Sequence, residues 1–425
     1  MRYNSVEVED FYEFTALSDG FNSRTEELYS IAFDHDFFWM DVNSSLNIAY
    51  NHAAFSASTQ FTAPGALAAI SLPSSTDAFF VKADFGDYED LRITLHNNWD
   101  YDEKSSFQFG AELGILRVSK ARAANNFDLA AFSNGIIPIP YYGSLAETTT
   151  IQKSSRRKII GIYGQLQRQL FEKTKLTLGF RYDDFPGIAS QLSSRLALVH
   201  KLTENQSLKL LYGEAFRAPQ DSELNLINNP VTVGNENLNP EKVQTWDLIW
   251  VGQWDNSSMS IGYFESHYED SIVAVNDGLQ GEKFENVSQD PSKGTELELS
   301  HEFTANWHLR LTYTYIFETP QATFREADQL ASIICNYNKR KWNANVSAIY
   351  ANERRSGEGA NRIVLSDYWL LATKVSYDFN KSCRGFIQIK NLLDEKYFTP
   401  TSRSVLTTGV ANRGREFLVG FSYSF

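Results

Sequence analysis

Cysteine and methionine are scarce in this 425-residue chain, which holds 2 Cys and 3 Met. Two cysteines, Cys335 and Cys383, cannot build a disulfide scaffold or a structural zinc site. Three methionines exclude a Met-rich copper or helix-binding surface. No stretch approaches the roughly 20 consecutive apolar residues that a membrane-crossing helix needs, and mean hydropathy is −0.35. Positive charge is in deficit, 39 Lys+Arg against 52 Asp+Glu for a net charge of −13. No nucleic-acid partner is expected, because neutralising phosphates takes a basic surface. The start, Met-Arg-Tyr-Asn-Ser-Val-Glu-Val-Glu-Asp, holds acids where a secretory signal needs an apolar stretch. Either the protein is cytosolic or the chain begins downstream of its true start.

Aromatic residues are plentiful: 30 Phe, 21 Tyr and 8 Trp make 14% of the chain. That richness excludes intrinsic disorder. They fall into a period of two from residue 90 onward. Trp307, Leu309, Leu311, Tyr313, Tyr315 and Phe317 share one face, and His308, Arg310, Thr312 and Thr314 share the other. Leu176, Leu178, Phe180 and Tyr182 oppose Thr177, Gly179, Arg181 and Asp183 in the same way, and the closing run sets Phe417, Val419, Phe421, Tyr423 and Phe425 on one side. Strand side chains point alternately to opposite faces, so each run reads as a half-apolar strand. No helix of ordinary length is expected.

A soluble sandwich and a membrane barrel both alternate. Three features favour the barrel. The runs are long, about 10–13 residues, near the 9–11 of a tilted membrane strand and beyond the 5–6 common in soluble sheets. Aromatics mark run ends at Phe171, Trp254, Phe303, Trp307 and Phe379, as in interfacial girdles. The connections also alternate in length. Short turns fall near Glu172-Lys173, Glu204-Asn205, Asp255-Asn256, Ala305-Asn306 and Lys381-Ser382. Long polar segments fall at 119–156, 217–241, 277–293, 318–338 and 394–412. Such sorting separates the periplasmic and extracellular sides of an outer-membrane barrel. Run centres near residues 31, 46, 81, 94, 111, 164, 179, 198, 211, 248, 263, 298, 312, 346, 373, 387 and 419, with a further one near 12, predict about 17 or 18 strands.

Catalytic and metal chemistry is not found in the sequence. The histidines form no HxxxH or HExxH pair, no His/Cys cluster has metal spacing, and no G-x-S-x-G elbow or Walker loop occurs. An enzyme is not expected, and neither is a cofactor. Glu296 and Glu298 share a face with Glu302, Arg310 and Lys374; a solvated lumen with balancing charges is the plain account. The run Arg156-Arg157-Lys158 is either an anion attractor or a solvated strand end. Phe127, Phe132, Tyr141, Tyr142, Phe324 and Tyr337, in long segments, are either loop packing, the favoured reading, or a cage for a planar ligand.

Several segments resemble the TonB-dependent outer-membrane receptors. Tyr212 to Pro219 contains Phe216-Arg217-Ala218-Pro219, followed by Glu223-Leu224, like the family's strand end that opens a long extracellular loop. Asn235 to Lys242 resembles the loop end Asn-Pro-x-Leu-x-Pro-Glu through Leu238, Pro240 and Glu241, with Glu236 in place of the first Pro. Asn391-Leu392-Leu393-Asp394-Glu395-Lys396-Tyr397 is similar to the signature of the penultimate strand, and Gly414 and the terminal Phe425 complete the C-terminal pattern. The likeness is sharpest over 205–425. By loop residue types alone, Pro219 and Pro240 suit chain leaving or entering a sheet.

The resemblance implies an all-β, antiparallel transmembrane β-barrel of the outer-membrane receptor type, incomplete at about 17–18 of roughly 22 strands and without a plug domain. Residues 1–425 are then the C-terminal part of a receptor barrel, unable to close in the family's way. It implies import of a scarce, bulky nutrient of the iron–siderophore or corrinoid class across the outer membrane of a Gram-negative bacterium; the alternative is a passive channel. Implied partners are the TonB energy-coupling complex, acting through the missing plug, an extracellular small-molecule ligand and outer-membrane lipid. The barrel assembly machinery would read Gly420 to Phe425, where Leu418 departs from the usual polar residue. Loop sorting places Cys335 outside and Cys383 at a periplasmic turn, so the two stay unpaired with each other.

Overall fold

The computed structural model describes residues 2–9, 22–146, 149–229, 232–276, 282–320, 326–357, 362–401 and 408–424. Its dominant feature is a 20-stranded antiparallel sheet. Two members, Ala121–Asn125 and Thr149–Gln152, are short pieces within one long connection. The other eighteen form a meander in chain order. It runs from Arg2–Glu9 and Ser23–Trp39 at one edge to Cys383–Lys390 and Glu416–Tyr423 at the other. Among the described residues the two edge strands do not pair with each other. The helices are single turns, Leu129–Ser133 and Asp221–Asn225.

The strand count expected from alternation stands, with two corrections. Centres 81 and 94 belong to one strand, Phe80–Asp102, of 23 residues. Between the two centres Gly86 adopts φ +72° within the strand, and the register opposite shifts between Ala54 and Ser56. A bulge thus absorbs the interruption. The second correction is a strand at Gln329–Lys339, inside what reads as the long segment 318–338. Its alternation is blurred because Ile333 and Ile334 stand on opposite faces, Ile333 beside Leu311 and Ile334 beside Arg310. Tyr337 is therefore a strand residue, packed on Trp307 at 4.6 Å. The expected strand near residue 12 falls outside the described residues; the described edge strand is Arg2–Glu9.

Connections are sorted by side. Two-residue turns at 40–41, 103–104, 172–173, 204–205, 255–256, 305–306, 340–341 and 381–382 all lie at one end. Their chemistry is local. The side chains of Asp102, Thr203, Thr304 and Asn380 each accept a bond from the amide two residues on, at Lys104, Asn205, Asn306 and Ser382. These Asx- and Ser/Thr-type turns set the reversal without help from the rest of the fold. Carbonyls in the turns then accept from the neighbouring hairpin, as Lys104 O does from Gln169 N and Asn306 O from Asn338 N, so the rim is continuous. Long connections occupy the opposite end, with 186–188 the short exception.

One face of the meander is apolar and exposed: Leu178, Phe180, Ile160 and Ile162, for example, with Phe171, Trp254, Phe303, Trp307 and Phe379 exposed near the short-turn rim. Its partner face is polar. Arg92 donates to Asp90 and to Glu112 Oε1 at 2.6 Å, and Arg181 bridges Glu112 Oε2 at 2.8 Å and Asp183. Arg310 meets Glu298 at 2.6 Å, the charge balance expected of a lumen. Gly161 makes the room, since a Cβ there would stand 2.6 Å from Arg181 Nη2. Among the described residues the one dry cluster lies where connections 61–79 and 119–154 pack Phe79, Phe127, Leu129 and Ile139 together, the two rings 4.7 Å apart.

Cys335 corrects the expectation of an extracellular position. It sits on the apolar face between Leu309 and Val346, close to turn 340–341, and both cysteines are free thiols. The blurred alternation that hid its strand is the cause. In intact cells a membrane-impermeant maleimide should label neither cysteine. After permeabilisation Cys383, beside turn 381–382, should react faster than Cys335, as read by a mass-shift gel. External labelling of Cys335 would reverse this placement.

Candidate functional site

The long-connection end is organised by hydrogen bonds between connections. Connection 119–154 is tied to 218–240 by Lys153 N to Asn225 O at 3.1 Å, Ile227 N to Ile151 O at 2.9 Å and Asn228 Nδ2 to Thr150 O at 3.0 Å. Gln152 donates to Asp221 Oδ2 at 2.6 Å, and Ser155 reaches the other oxygen of the same carboxylate. Lys153 donates to Glu236 and holds that carboxyl below its usual range. Connection 218–240 is in turn tied to 270–291. Asn286 gives its amide to Asn239 O at 3.0 Å and accepts from Asn239 N at 2.8 Å. These loops, with 61–79 packed on 119–154, form one crown over part of the lumen mouth.

The residues singled out in the sequence hold that crown. Arg217 ends the strand Gln206–Arg217 and points its guanidinium at Glu223 in a two-pronged contact of 2.8 and 3.0 Å, while Nε bonds Glu241. Glu241 Oε1 also accepts from Ile272 N at 2.7 Å, and Glu223 accepts from Gln220 N at 2.6 Å. One arginine thus joins a strand end, a helical turn, the next strand and the following connection. The planar fork of Arg suits such paired carboxylates. Ala218 leads into the helical turn, Pro219 and Leu238 are buried, and Phe216 sets its ring edge-on to Phe185 at 5.9 Å. Pro240 precedes Glu241, where the chain re-enters the sheet.

Asn391, Leu392, Asp394, Tyr397 and Gly414 organise a separate place, the last long connection. Asn391 is buried with φ +47° and bonds Glu395 O at 2.9 Å and Arg413 O at 3.3 Å, while its oxygen accepts from Glu395 N. Leu392 N meets Leu371 O. Asp394 accepts from Arg415 N at 2.8 Å, and a Cβ on Gly414 would lie 2.7 Å from that carboxylate and displace it. Tyr397 packs on Tyr368 at 4.9 Å. Ser356 ties connection 352–367 to this one through Thr401 N. The structure therefore brings Arg217, Glu223 and Glu241 together but keeps them apart from the Asn391 group. Phe425 and Phe324 lie outside the described residues.

Beneath the crown the lumen wall opens into a cavity of about 610 Å³. Phe55 and Phe85, stacked at 4.6 Å, line it with Tyr88 and Phe185, and Ala218 to Ser222 form its roof. Arg157 projects into it. The side chain is buried, and among the described residues no hydrogen bond or ion pair reaches it; Asp221 and Glu223 act on it from longer range. Its guanidinium faces the open cavity, so its donors are free to meet whatever fills that space. Its five donors and the aromatic walls suit a bulky ligand carrying acceptor oxygens. The run Arg156-Arg157-Lys158 thus splits, the pleat sending only Arg157 inward, and the phase of Ile159, Gly161 and Tyr163 along that strand was the available signal. Phe55 and Phe85 sit beside bulges and had none. Phe127, Phe132 and Tyr141 pack in the loop core, and Tyr142 is exposed.

Residues 3–393 match the family described as TonB dependent receptor-like, beta-barrel. The probable TonB-dependent siderophore receptor PiuA of Acinetobacter baumannii is 22% identical over 60% of this chain and 39% of its own length. The vitamin B12 transporter BtuB of Vibrio cholerae serotype O1 is 24% identical over 59% of this chain and 40% of its own. The chain thus matches well under half of these curated relatives. Among solved structures, the ferric enterobactin receptor PfeA of Pseudomonas aeruginosa superposes with a TM-score of 0.72 at 18% identity, covering 96% of this chain and 63% of that one. The siderophore receptor PirA of Acinetobacter baumannii gives 0.70 at 18%, over 96% and 64%. These likenesses show the fold.

Replacing Arg217 by Ala leaves the buried Glu223 carboxylate with a backbone amide and no counter-charge. The expected cost is about 2 kcal/mol of local stability, at the low end for a paired buried acid because the arginine is partly exposed. Hydrogen exchange should rise in 218–225 and 271–276 and stay unchanged in 391–401. Equal exchange at both places would show that Arg217 does not hold the crown.

Proposed function

This chain belongs to the TonB-dependent receptor-like β-barrel family, whose members are outer-membrane proteins of Gram-negative bacteria, and from that membership we propose that it serves energised import of a scarce, bulky nutrient of the iron–siderophore or corrinoid class. Residues 1–425 are read as the C-terminal part of the barrel, placed in the outer membrane. The TonB complex would act through a plug region not contained in these residues. Phe425 would address the chain to the barrel assembly machinery, and the exposed apolar face would meet lipid.

The observation that carries this reading is the cavity under the crown, into which Arg157 projects with no anion in contact among the described residues. A receptor gains an anchor for the acceptor-rich surface of its cargo, and charge-assisted bonds in such a site are the strong ones. The Arg217 cluster then acts by position, holding the helical turn that roofs the cavity. No bond of the cargo is made or broken, so no catalytic residue is assigned.

The test is uptake by cells carrying the full-length gene, a deletion, or Arg157→Gln, supplied with a panel of ferric siderophores and with cobalamin. One member of the panel should depend on the gene, and Arg157→Gln should lower its uptake by about tenfold. Dependence on no member would sink the import reading. Dependence with full uptake by Arg157→Gln would remove the cavity as the cargo site.

A further inference from the structure

A second cavity, of about 470 Å³, adjoins the Arg217 cluster. Its wall includes Ala215, Val243, Tyr268, Ile272, Val273 and Pro320. Ala215, Val243 and Tyr268 stand side by side across three neighbouring strands. They face the lumen. The outward row runs from Leu178 through Leu196 and Tyr212 to Trp246, and Val243, three residues from Trp246, takes the other face of the pleat. The loop strand Ser271–Asn276 contributes Ile272, which is buried, and Val273.

The charged groups at this wall are engaged within the protein. Arg217 bonds Glu223 and Glu241, and Glu241 also accepts from Ile272 N at 2.7 Å. Lys242 stands opposite Phe216 in the outward phase and brings its aliphatic stem alongside. Most of the remaining wall is carbon. The lumen face of the following strands keeps that character. Ile316 shares a face with Thr314, and Leu330 stands opposite Thr314. Leu330 faces Ala351, and two residues before it Ile349 faces Leu370. Leu330 and Ile349 are exposed to the lumen. Around Arg92, Glu112, Arg181 and Asp183 the lumen wall is charged instead. The lumen thus has a charged side and an apolar side.

We propose that this cavity binds the aliphatic chain of an amphiphilic ligand that enters through the lumen. Under the import reading, on which the ligand's role rests, the chain belongs to the cargo. The cargo's acceptor-rich part then meets Arg157, and its alkyl part enters here. The two cavities are neighbours, since Arg217 lines this one and Ala218, the next residue, lines the other. Two adjoining cavities of opposite character fit one molecule with two characters. Apolar wall left to water is unfavourable, and an alkyl chain removes that contact. A membrane lipid is not the source, because the strand wall stands between lipid and the lumen face.

The full-length receptor in lipid nanodiscs is irradiated with a dodecanoate that carries a terminal diazirine, and labelled residues are read by mass spectrometry. Label is expected at Val243 and in 268–273, and an excess of plain dodecanoate, but not of acetate, should remove it. Ala215→Phe, which fills the cavity, should cut this label about tenfold, the worth of one buried aliphatic group. Heat-modifiable migration on a gel reports that the variant is folded. Should it not fold, Val273→Asn is read instead and should cut the label about threefold. A phospholipid of the nanodisc with the same diazirine in its acyl chain should label the outward Trp246 and leave Val243 and 268–273 unlabelled. Dodecanoate label confined to outward residues, cavity label that the variant leaves unchanged, or cavity label from the phospholipid overturns the inference. Uptake of the ferric siderophore and cobalamin panel by cells carrying the full-length gene separates the two readings. Gene-dependent uptake with no competable label defeats the alkyl cavity alone. Competable label without gene-dependent uptake of any panel member supports the cavity and defeats import.

Discussion

Backbone hydrogen bonding is the constraint on which the rest depends. In an apolar layer no water meets an unpaired amide or carbonyl, so each strand must be bonded to a neighbour on both sides. An antiparallel meander with next-neighbour pairing is the simplest way to meet that demand, and each of the sixteen inner strands here is held so. The exceptions are the two edges, Arg2–Glu9 and Glu416–Tyr423, each bonded on one side among the described residues. Phe417, Val419 and Phe421 on the second edge are among the most exposed apolar side chains of the protein. A sheet of this kind is completed only by further pairing.

Once pairing is set, the pleat assigns every side chain to the outward face or the lumen. Its consequences are sharpest where the sequence does not alternate. Arg156, Arg157 and Lys158 are chemically alike, yet one lines a cavity and two face outward. On the lumen side, Arg92, Glu112, Arg181 and Asp183 link three strands, reaching across a fourth, through charge-assisted bonds, which are stronger away from bulk water. Gly161 belongs to that arrangement although it makes none of the contacts, because its missing Cβ is the space the Arg181 guanidinium occupies.

The wall has no dry interior of its own, so rigidity at the long-connection end comes from elsewhere. Connections 61–79 and 119–154 bury Phe79, Phe127 and Leu129 against each other, and that cluster is the main hydrophobic core among the described residues. Hydrogen bonds then extend its order to 218–240 and 270–291, with the Arg217 cluster as the hinge between wall and crown. The connections 352–367 and 391–415 are held by a separate set centred on Ser356 and Asn391.

Much of this was legible in the chain because the signals are local. Alternation of Trp307 to Phe317 needs only the strand's own pleat, and the turn at Thr304-Ala305-Asn306 needs only its own side-chain oxygen. Strand number, the side each connection takes and the polar or apolar character of each face follow from such patterns. Where neighbours decide, the chain alone was silent or misleading. Centres 81 and 94 read as two strands, and pairing with the neighbouring strand makes them one with a bulge at Gly86; Ile334 reads as loop, and Arg310 beside it marks the lumen face. The motif residues were visible as a group, but their division into an Arg217 cluster and an Asn391 cluster is a matter of which connections meet in space. The cavity around Arg157 joins residues from 53 to 222 of the chain. No local pattern encodes such a meeting, because it exists only after the strands have paired and the loops have folded over them.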